Sequence, residues 1–183
     1  MHSYEFNPIQ DTKAPKGFKP FYISHYGRHG SRYEQNSTFG RAALEGFAHL
    51  DSLGLLTDSG KALYADVNAV VEAHKGMEGS LTPRGAREHK MLAARMYERF
   101  PKVFKNKDRM EINSFSSTSF RCIVSMCNFT NSLTEKCPKH EFTFTSADKF
   151  MAYINPSLNI PRPGEVPAPR QTMSAEALAR LRS

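Results

Sequence analysis

The chain has 183 residues, of which 39% are hydrophobic and 23% charged, and its formal net charge is +7 with the histidines counted as neutral. This ordinary globular composition excludes disorder along the whole chain, and no apolar run reaches the roughly 18 residues that a membrane helix needs. The positive charge favours anionic partners. The cysteines, Cys122, Cys127 and Cys137, are odd in number and poorly spaced for either a disulfide framework or a metal site.

The N-terminal region predicts an irregular segment followed by a strand. Residues 1–20 contain several prolines and no export signal, so we interpret them as an irregular lead-in. Residues 21–26 are rich in aromatic and β-branched side chains, and the run stops at Gly27. We expect a strand that ends in a loop.

Three helices are predicted next, over about 38–53, 59–75 and 83–100. The third has Thr82 as its N-cap and Pro83 at its first position, both typical of a helix start. Its apolar stripe contains Leu92, Met96 and Phe100.

Two further strands are predicted around one more helix. Residues 110–115 and 141–145 have β-prone sequences, and the helix between them has a predicted core face of Phe120, Ile123, Val124 and Cys127. Strands that alternate with helices predict the α/β class, with a mainly parallel sheet and helices on both faces. Three strands are few for such a sheet, so we expect it to continue in sequence that this chain does not contain.

Two segments are interpreted as surface features. The basic stretch 102–109 has little aromatic interleaving, which favours a solvated loop over a nucleic-acid site. The proline-rich residues 156–183 predict a tail with one weak helix over 174–182. The predicted domain organisation is therefore a lead-in over 1–20, a core over 21–155 and a tail over 156–183.

The chemically suggestive residues follow two predicted strands. Arg28, His29 and Arg32 come directly after the first strand, and Arg121 opens the helix after the second. In open α/β sheets the ligand site lies at the carboxyl ends of the strands, so these four side chains should share one pocket. An imidazole nucleophile with three guanidinium groups suits metal-free phosphoryl transfer, because arginine binds phosphate through a planar fork of donors.

The longer pattern resembles the histidine acid phosphatases of the histidine phosphatase superfamily, and within them the bacterial multiple inositol polyphosphate phosphatases. Residues 24–33 read SHYGRHGSRY and contain the Arg-His-Gly-x-Arg core of that family. Residues 81–85 resemble its Leu-Thr-Pro-x-Gly segment, and residues 117–126 resemble the segment that carries a further phosphate-binding arginine.

The resemblance implies a phosphoglycerate-mutase-like fold and a two-step phosphomonoester hydrolysis. His29 would form a phosphohistidine that water then hydrolyses, while Arg28, Arg32 and Arg121 hold the phosphate. It implies no cofactor or metal and an anionic phosphorylated small molecule as substrate, with inositol polyphosphates (phytate) first. Members of the family are exported, but the chain itself indicates no compartment and no oligomeric state.

The chain departs from the family in one respect. It contains neither the His-Ala-Glu nor the His-Asp proton-donor motif, and we interpret His140, which precedes Glu141, as structural. We therefore expect a truncated protein that has little activity alone. Two alternatives stay open: a non-catalytic fragment that binds phosphate or polyanions, and a phosphatase or mutase acting on sugar phosphates.

Four further residues are weaker candidates. His25 either lines the mouth of the pocket or packs on its neighbours, and Ser31 is placed to hydrogen-bond phosphate. Thr118 either binds phosphate or caps its helix. His89 continues the apolar stripe of its helix and is interpreted as a packing residue.

Overall fold

The computed structural model describes Tyr4, residues 12–105 and residues 107–155. Within these ranges the chain forms an α/β fold, so the predicted fold class is confirmed. The helices are α1 (Thr38–Ser52), α2 (Asp58–His74), α3 (Pro83–Arg99), α4 (Pro101–Phe104), α5 (Phe120–Lys136), a 3₁₀ turn (Asp148–Phe150) and α6 (Met151–Ile154); the strands are β1 (Glu111–Ser116) and β2 (Glu141–Ser146).

The strands form a parallel sheet whose order is β1-β2, and α5 is the crossover between them. Ile112 of β1 is level with Phe142 of β2, and both side chains reach the core beneath α5. On the same face, the hydroxyls of Ser114 and Thr130 are 2.8 Å apart, which fastens the middle of α5 to β1. The predicted parallel pairing is confirmed.

The core lies where α3, α4 and α5 meet the sheet. Its buried members are Ala93, Phe104, Leu133 and Cys137. Partly buried side chains surround them: Ile23, Met96, Tyr97, Phe100, Ile112, Phe129 and Phe142. By contrast, α1 and α2 pack against each other without burying any residue, so they form a peripheral helical pair.

The strand predicted over 21–26 is wrong. These residues have no ladder partner among the described residues, and Phe21 is 90% exposed. Ile23 nevertheless reaches the core, and His25 lies on α5 with its ring stacked on Phe129. The β-prone composition was real, but a strand also needs a neighbour that completes its hydrogen bonds.

The predicted core face of α5 is also wrong in part. Phe120 is 71% exposed, whereas Ser125, Thr130 and Ser132 are buried. Their hydroxyls bond the backbone or another hydroxyl, as Ser132 does with the Lys90 carbonyl at 3.2 Å. Such hydrogen bonds offset the cost of burying small polar side chains. A prediction from hydrophobicity alone therefore misplaced the buried face of α5.

Several predictions have other outcomes. Helices α1, α2 and α3 match the predicted ranges to within one residue, whereas α4 and α6 were not predicted. Because α4 extends to Phe104, which is buried, the interpretation of 102–109 as a solvated loop is wrong for its first residues. The tail over 156–183 and its helix lie outside the described residues, and the domain division stays a prediction. None of the described helices is both long enough and apolar enough to traverse a lipid bilayer.

Candidate functional site

The candidate site is built on residues 28–32, which we call the histidine loop. The loop runs into a short antiparallel pairing, where Arg32 bridges Leu81. The amide of Thr82 donates to the Ser31 carbonyl at 2.9 Å, and the Thr82 hydroxyl donates to the same oxygen at 2.9 Å. That hydroxyl also accepts from the Gly85 amide at 3.0 Å, so the predicted N-cap of α3 is confirmed and also holds the loop.

Two glycines let α3 approach the loop at backbone distance. A Cβ on Gly30 would lie 2.4 Å from the Gly85 carbonyl oxygen, and a Cβ on Gly85 would lie 2.2 Å from the Ser31 carbonyl oxygen. Backbone cannot give way as a flexible side chain can, so neither position has room for a side chain. The missing side chain at Gly30 therefore makes room for the backbone of α3.

A buried carboxylate on α3 holds Ser31 at two points. Glu88 is 3% exposed, and its two oxygens accept from the Ser31 amide at 2.8 Å and from the Ser31 hydroxyl at 2.7 Å. The guanidinium of Arg84 lies 3.3 Å away. Burial by itself raises the pKa of Glu88, but the two Ser31 hydrogen bonds and Arg84 outweigh it and lower the pKa below its ordinary value.

His29 has one ring nitrogen engaged by its own loop. Its Nδ1 lies 2.8 Å from the Gly30 carbonyl oxygen, an acceptor, so Nδ1 carries the proton and Nε2 has the free lone pair. Burial lowers the pKa of His29, the Gly30 hydrogen bond opposes that effect, and the charges of Arg121, Arg28 and Arg32 lower the pKa further. The lowered pKa favours the neutral form of this imidazole at neutral pH.

The three predicted arginines all act electrostatically on His29. Arg32 donates to the Tyr33 carbonyl at 2.9 Å. Arg121, at the second position of α5, has a buried Nε with no hydrogen-bond partner among the described residues. Its Nη1 lies 3.8 Å from the point where a Cβ on Gly79 would stand, next to the strand pairing that follows the loop. Arg28, Arg32 and Arg121 therefore lie near enough to His29 for their charges to act on it, although residues 21–26 form no strand. That the four side chains share one phosphate pocket stays a prediction.

The backbone of Arg28 is held by two side chains. The Tyr4 hydroxyl lies 2.6 Å from both the amide nitrogen and the carbonyl oxygen of Arg28. His89 hydrogen-bonds the same backbone, and its Nε2 is buried without a partner among the described residues. His89 is 5% exposed, which agrees with its predicted packing role, and this burial lowers its pKa.

The weaker candidates differ in their surroundings. His25 stacks on Phe129 with ring centroids 5.1 Å apart, which is the packing alternative. Thr118 is exposed, and its hydroxyl lies 3.9 Å from the Met151 sulfur; because the N-cap of α5 is Ser119, the capping alternative for Thr118 is wrong. A phosphate contact by Thr118 stays a prediction. Ser31 was expected to hydrogen-bond phosphate, but its hydroxyl and its amide N–H both donate hydrogen bonds to Glu88.

His140 is structural, as predicted. It is 5% exposed, its Nδ1 lies 3.2 Å from the Met110 amide, and its Nε2 lies 2.6 Å from the Phe104 carbonyl. Both ring nitrogens are therefore used inside the fold.

Three residues that contact the histidine loop were not predicted from the sequence. Tyr4 lies in the stretch interpreted as an irregular lead-in, and Ser125 accepts from the Gly30 amide at 3.2 Å. Glu88 carried a usable signal: it lies three residues after Gly85, so the two share a helix face. No group of three or more His, Cys, Asp or Glu side chains within the described part of the chain is arranged to hold a metal ion.

Comparison with known proteins gives one kind of match. No protein-family model matches the chain, and neither does any curated protein. Among solved structures, a multiple inositol polyphosphate phosphatase of Bifidobacterium longum, determined in complex with phosphate, is similar with a TM-score of 0.57. The sequences are 21% identical, and the match covers 70% of this chain but 26% of that one. The chain thus resembles about a quarter of a phosphatase, and the likeness supports the α/β fold.

Proposed function

We propose that this chain carries the nucleophile and the phosphate clamp of a histidine phosphatase that hydrolyses phosphomonoesters, with inositol polyphosphates as the first substrate class. The observation that carries the proposal is the state of His29. Its Nδ1 is engaged by the Gly30 carbonyl, which leaves the lone pair on Nε2, and the charges of three arginines act on its imidazole.

In the first step, Nε2 of His29 attacks phosphorus and the bond from phosphorus to the ester oxygen breaks. The leaving alkoxide must gain a proton, and the phosphoryl group stays on His29. In the second step, water attacks phosphorus, the N–P bond breaks and inorganic phosphate leaves. The arginines stabilise the charge on the equatorial oxygens in both steps.

Arg121 adds a second support. A buried N–H group without a partner is costly, at about 1–3 kcal/mol. Within the described part of the chain the Nε of Arg121 is such a group, and a phosphate oxygen is the kind of acceptor that would satisfy it. The similarity to a phosphatase solved with phosphate agrees with an anionic ligand here.

The proposal leaves the proton donor unassigned, since the sequence has neither donor motif of the family. A substrate with a good leaving group separates the two roles, because p-nitrophenolate departs without a proton whereas an inositol alkoxide does not. We expect the purified chain to release p-nitrophenolate from p-nitrophenyl phosphate and His29→Ala to release none. Inositol hexakisphosphate should react more slowly, by roughly 10²–10⁴-fold, if no donor is present.

Arg41→Ala is the matched control, because Arg41 is an exposed arginine on α1. It should keep the wild-type rate, whereas Arg121→Ala should weaken the binding of inorganic phosphate measured by calorimetry. Aryl phosphate hydrolysis that survives in His29→Ala would overturn the proposal. Phosphate binding without any turnover by folded protein would favour the alternative of a non-catalytic phosphate-binding fragment.

A further inference from the structure

Glu88 is connected to the imidazole of His29 through a single peptide unit. The peptide that joins Gly30 to Ser31 contains the Gly30 carbonyl and the Ser31 amide. That carbonyl lies 2.8 Å from Nδ1 of His29, and that amide donates to Glu88 at 2.8 Å. One planar group therefore has His29 at one end and a carboxylate at the other.

We propose that Glu88 is a positioning residue that fixes the tautomer and orientation of His29 through the Gly30–Ser31 peptide. The inference rests on the proposed function only in giving that orientation a catalytic purpose. A trans peptide is planar, and its C=O and N–H point in opposite directions. By fixing the direction of the Ser31 N–H, Glu88 also fixes the direction of the Gly30 carbonyl.

The direction of that carbonyl decides which nitrogen of His29 is protonated. While the oxygen faces Nδ1, the proton stays there and the lone pair is on Nε2. Rotation of the peptide would remove this acceptor, and the tautomer protonated on Nε2 could then form as well. The charge of Glu88 adds to the effect, because a hydrogen bond from the amide strengthens the carbonyl as an acceptor.

The surroundings keep Glu88 ionised and fixed. It is 3% exposed, it also accepts from the Ser31 hydroxyl at 2.7 Å, and Arg84 lies 3.3 Å away. The contact between Gly30 and Gly85 holds the start of α3 against the same peptide. The carboxylate therefore reaches Ser31 from a rigid helix.

Nitrogen-15 NMR of the whole chain with labelled histidine measures the tautomer directly, and loss of signals in His29→Gln identifies the His29 resonances. In the wild type at neutral pH we expect Nδ1 of His29 in the protonated range and Nε2 in the unprotonated range. In Glu88→Ala the two shifts should move toward each other as the tautomers mix. Glu88→Asp, which keeps the charge but withdraws the oxygens by one CH₂ group, should show the same movement.

Three variants show whether the hydrogen bond to the Ser31 amide is responsible. Glu88→Gln still has an oxygen that can accept from this amide, so it should retain the wild-type pair of shifts. Ser31→Ala removes only the hydroxyl contact and should retain them as well. Glu98→Gln, which changes an exposed carboxylate in the last turn of α3, is the control for a general effect of charge.

Wild-type His29 shifts in folded Glu88→Ala or Glu88→Asp would overturn the proposal, because Glu88 would then only tie the loop to α3. Mixed tautomers in Glu88→Gln would overturn the hydrogen-bond route. The NMR result needs no substrate, so it stands even if the chain hydrolyses nothing. If the chain is active, Glu88→Ala should lower kcat by on the order of 10²-fold with little change in KM, as expected for a misplaced reacting group.

Discussion

Three histidines in and around the histidine loop have a lowered pKa. For His25 and His89 burial is the main cause, and for His29 burial acts together with the three arginines. All three therefore prefer the neutral form in the folded protein. Their neutrality affects both stability and the proposed chemistry.

The folded protein should lose stability as the pH falls below about 6.5, the ordinary histidine pKa. In the window between the lowered pKa values and 6.5, the unfolded chain binds more protons than the folded chain, so the free energy of unfolding rises with pH. This contribution is complete above 6.5 and is lost on acidification. Urea denaturation at about pH 7.5 and about pH 5.5 measures the difference, above the range where the lowered pKa of Glu88 matters.

His89→Gln tests the origin of that difference. Glutamine can still donate to the Arg28 backbone but does not titrate, so the variant should lose less stability than the wild type between the two pH values. His49→Gln changes an exposed histidine on α1 and should leave the difference as it is. An equal pH dependence in wild type and His89→Gln would contradict the prediction.

At this scale the sequence singled out four candidate site residues, but it did not indicate most of the residues that hold them. His29 and the three arginines belong to recognisable patterns of residue type and spacing. Glu88, Tyr4 and Ser125 act on backbone groups of the loop, and a sequence does not reveal which distant side chain will reach a given amide. Ser31 was misjudged for that reason, since its polar groups bond to a carboxylate 57 positions away.

The position of α3 against the histidine loop depends on the absence of a side chain at Gly85. A Cβ there would lie 2.2 Å from the Ser31 carbonyl oxygen and 2.8 Å from the Ser31 nitrogen. Gly46, in the middle of α1, has nothing within 4 Å of the same point. Gly85 and Gly46 therefore allow the same substitution to be compared in α3, where a Cβ would clash, and in α1, where it would not.

Gly85→Ala should destabilise the protein by roughly 1–3 kcal/mol, the usual cost of overpacking, although alanine is the better helix former. Gly46→Ala should stabilise it by about 0.4–1 kcal/mol, because only the helix preference changes. Chemical denaturation of both variants measures the two effects. A stabilised Gly85→Ala protein would mean that α3 and the loop are not in backbone contact.

Helix and strand positions followed from the sequence better than their burial did. The periodic patterns and the start at Thr82 and Pro83 predicted α1, α2 and α3, because capping and periodicity are local. The buried face of α5 depends on hydroxyl groups whose partners lie on β1, α3 and the histidine loop. Strand pairing over 21–26 is likewise non-local, and composition alone predicted it wrongly.

Considered as a whole, the described chain leaves several aromatic side chains of its N-terminal segment outside the core. Phe18, Phe21, Tyr22 and Tyr26 are each at least 73% exposed, although they flank the core residue Ile23. Clustered exposed aromatic side chains promote association and bind hydrophobic dyes. The N-terminal segment is attached through a few side chains: Ile23 packs against the core, His25 stacks on Phe129, and the Tyr26 hydroxyl donates to the Ile154 carbonyl at 2.6 Å.

Phe21→Ser and Ile23→Ser separate these two roles. Phe21 is 90% exposed, so its substitution should change the free energy of unfolding by less than about 0.5 kcal/mol while reducing dye binding and association at high concentration. Ile23 packs against the core, so the same change there should cost about 0.5–3 kcal/mol. Denaturation curves, dye fluorescence and sedimentation of both variants make the comparison. Equal destabilisation by the two substitutions would mean that Phe21 packs on the protein, which would contradict its exposure.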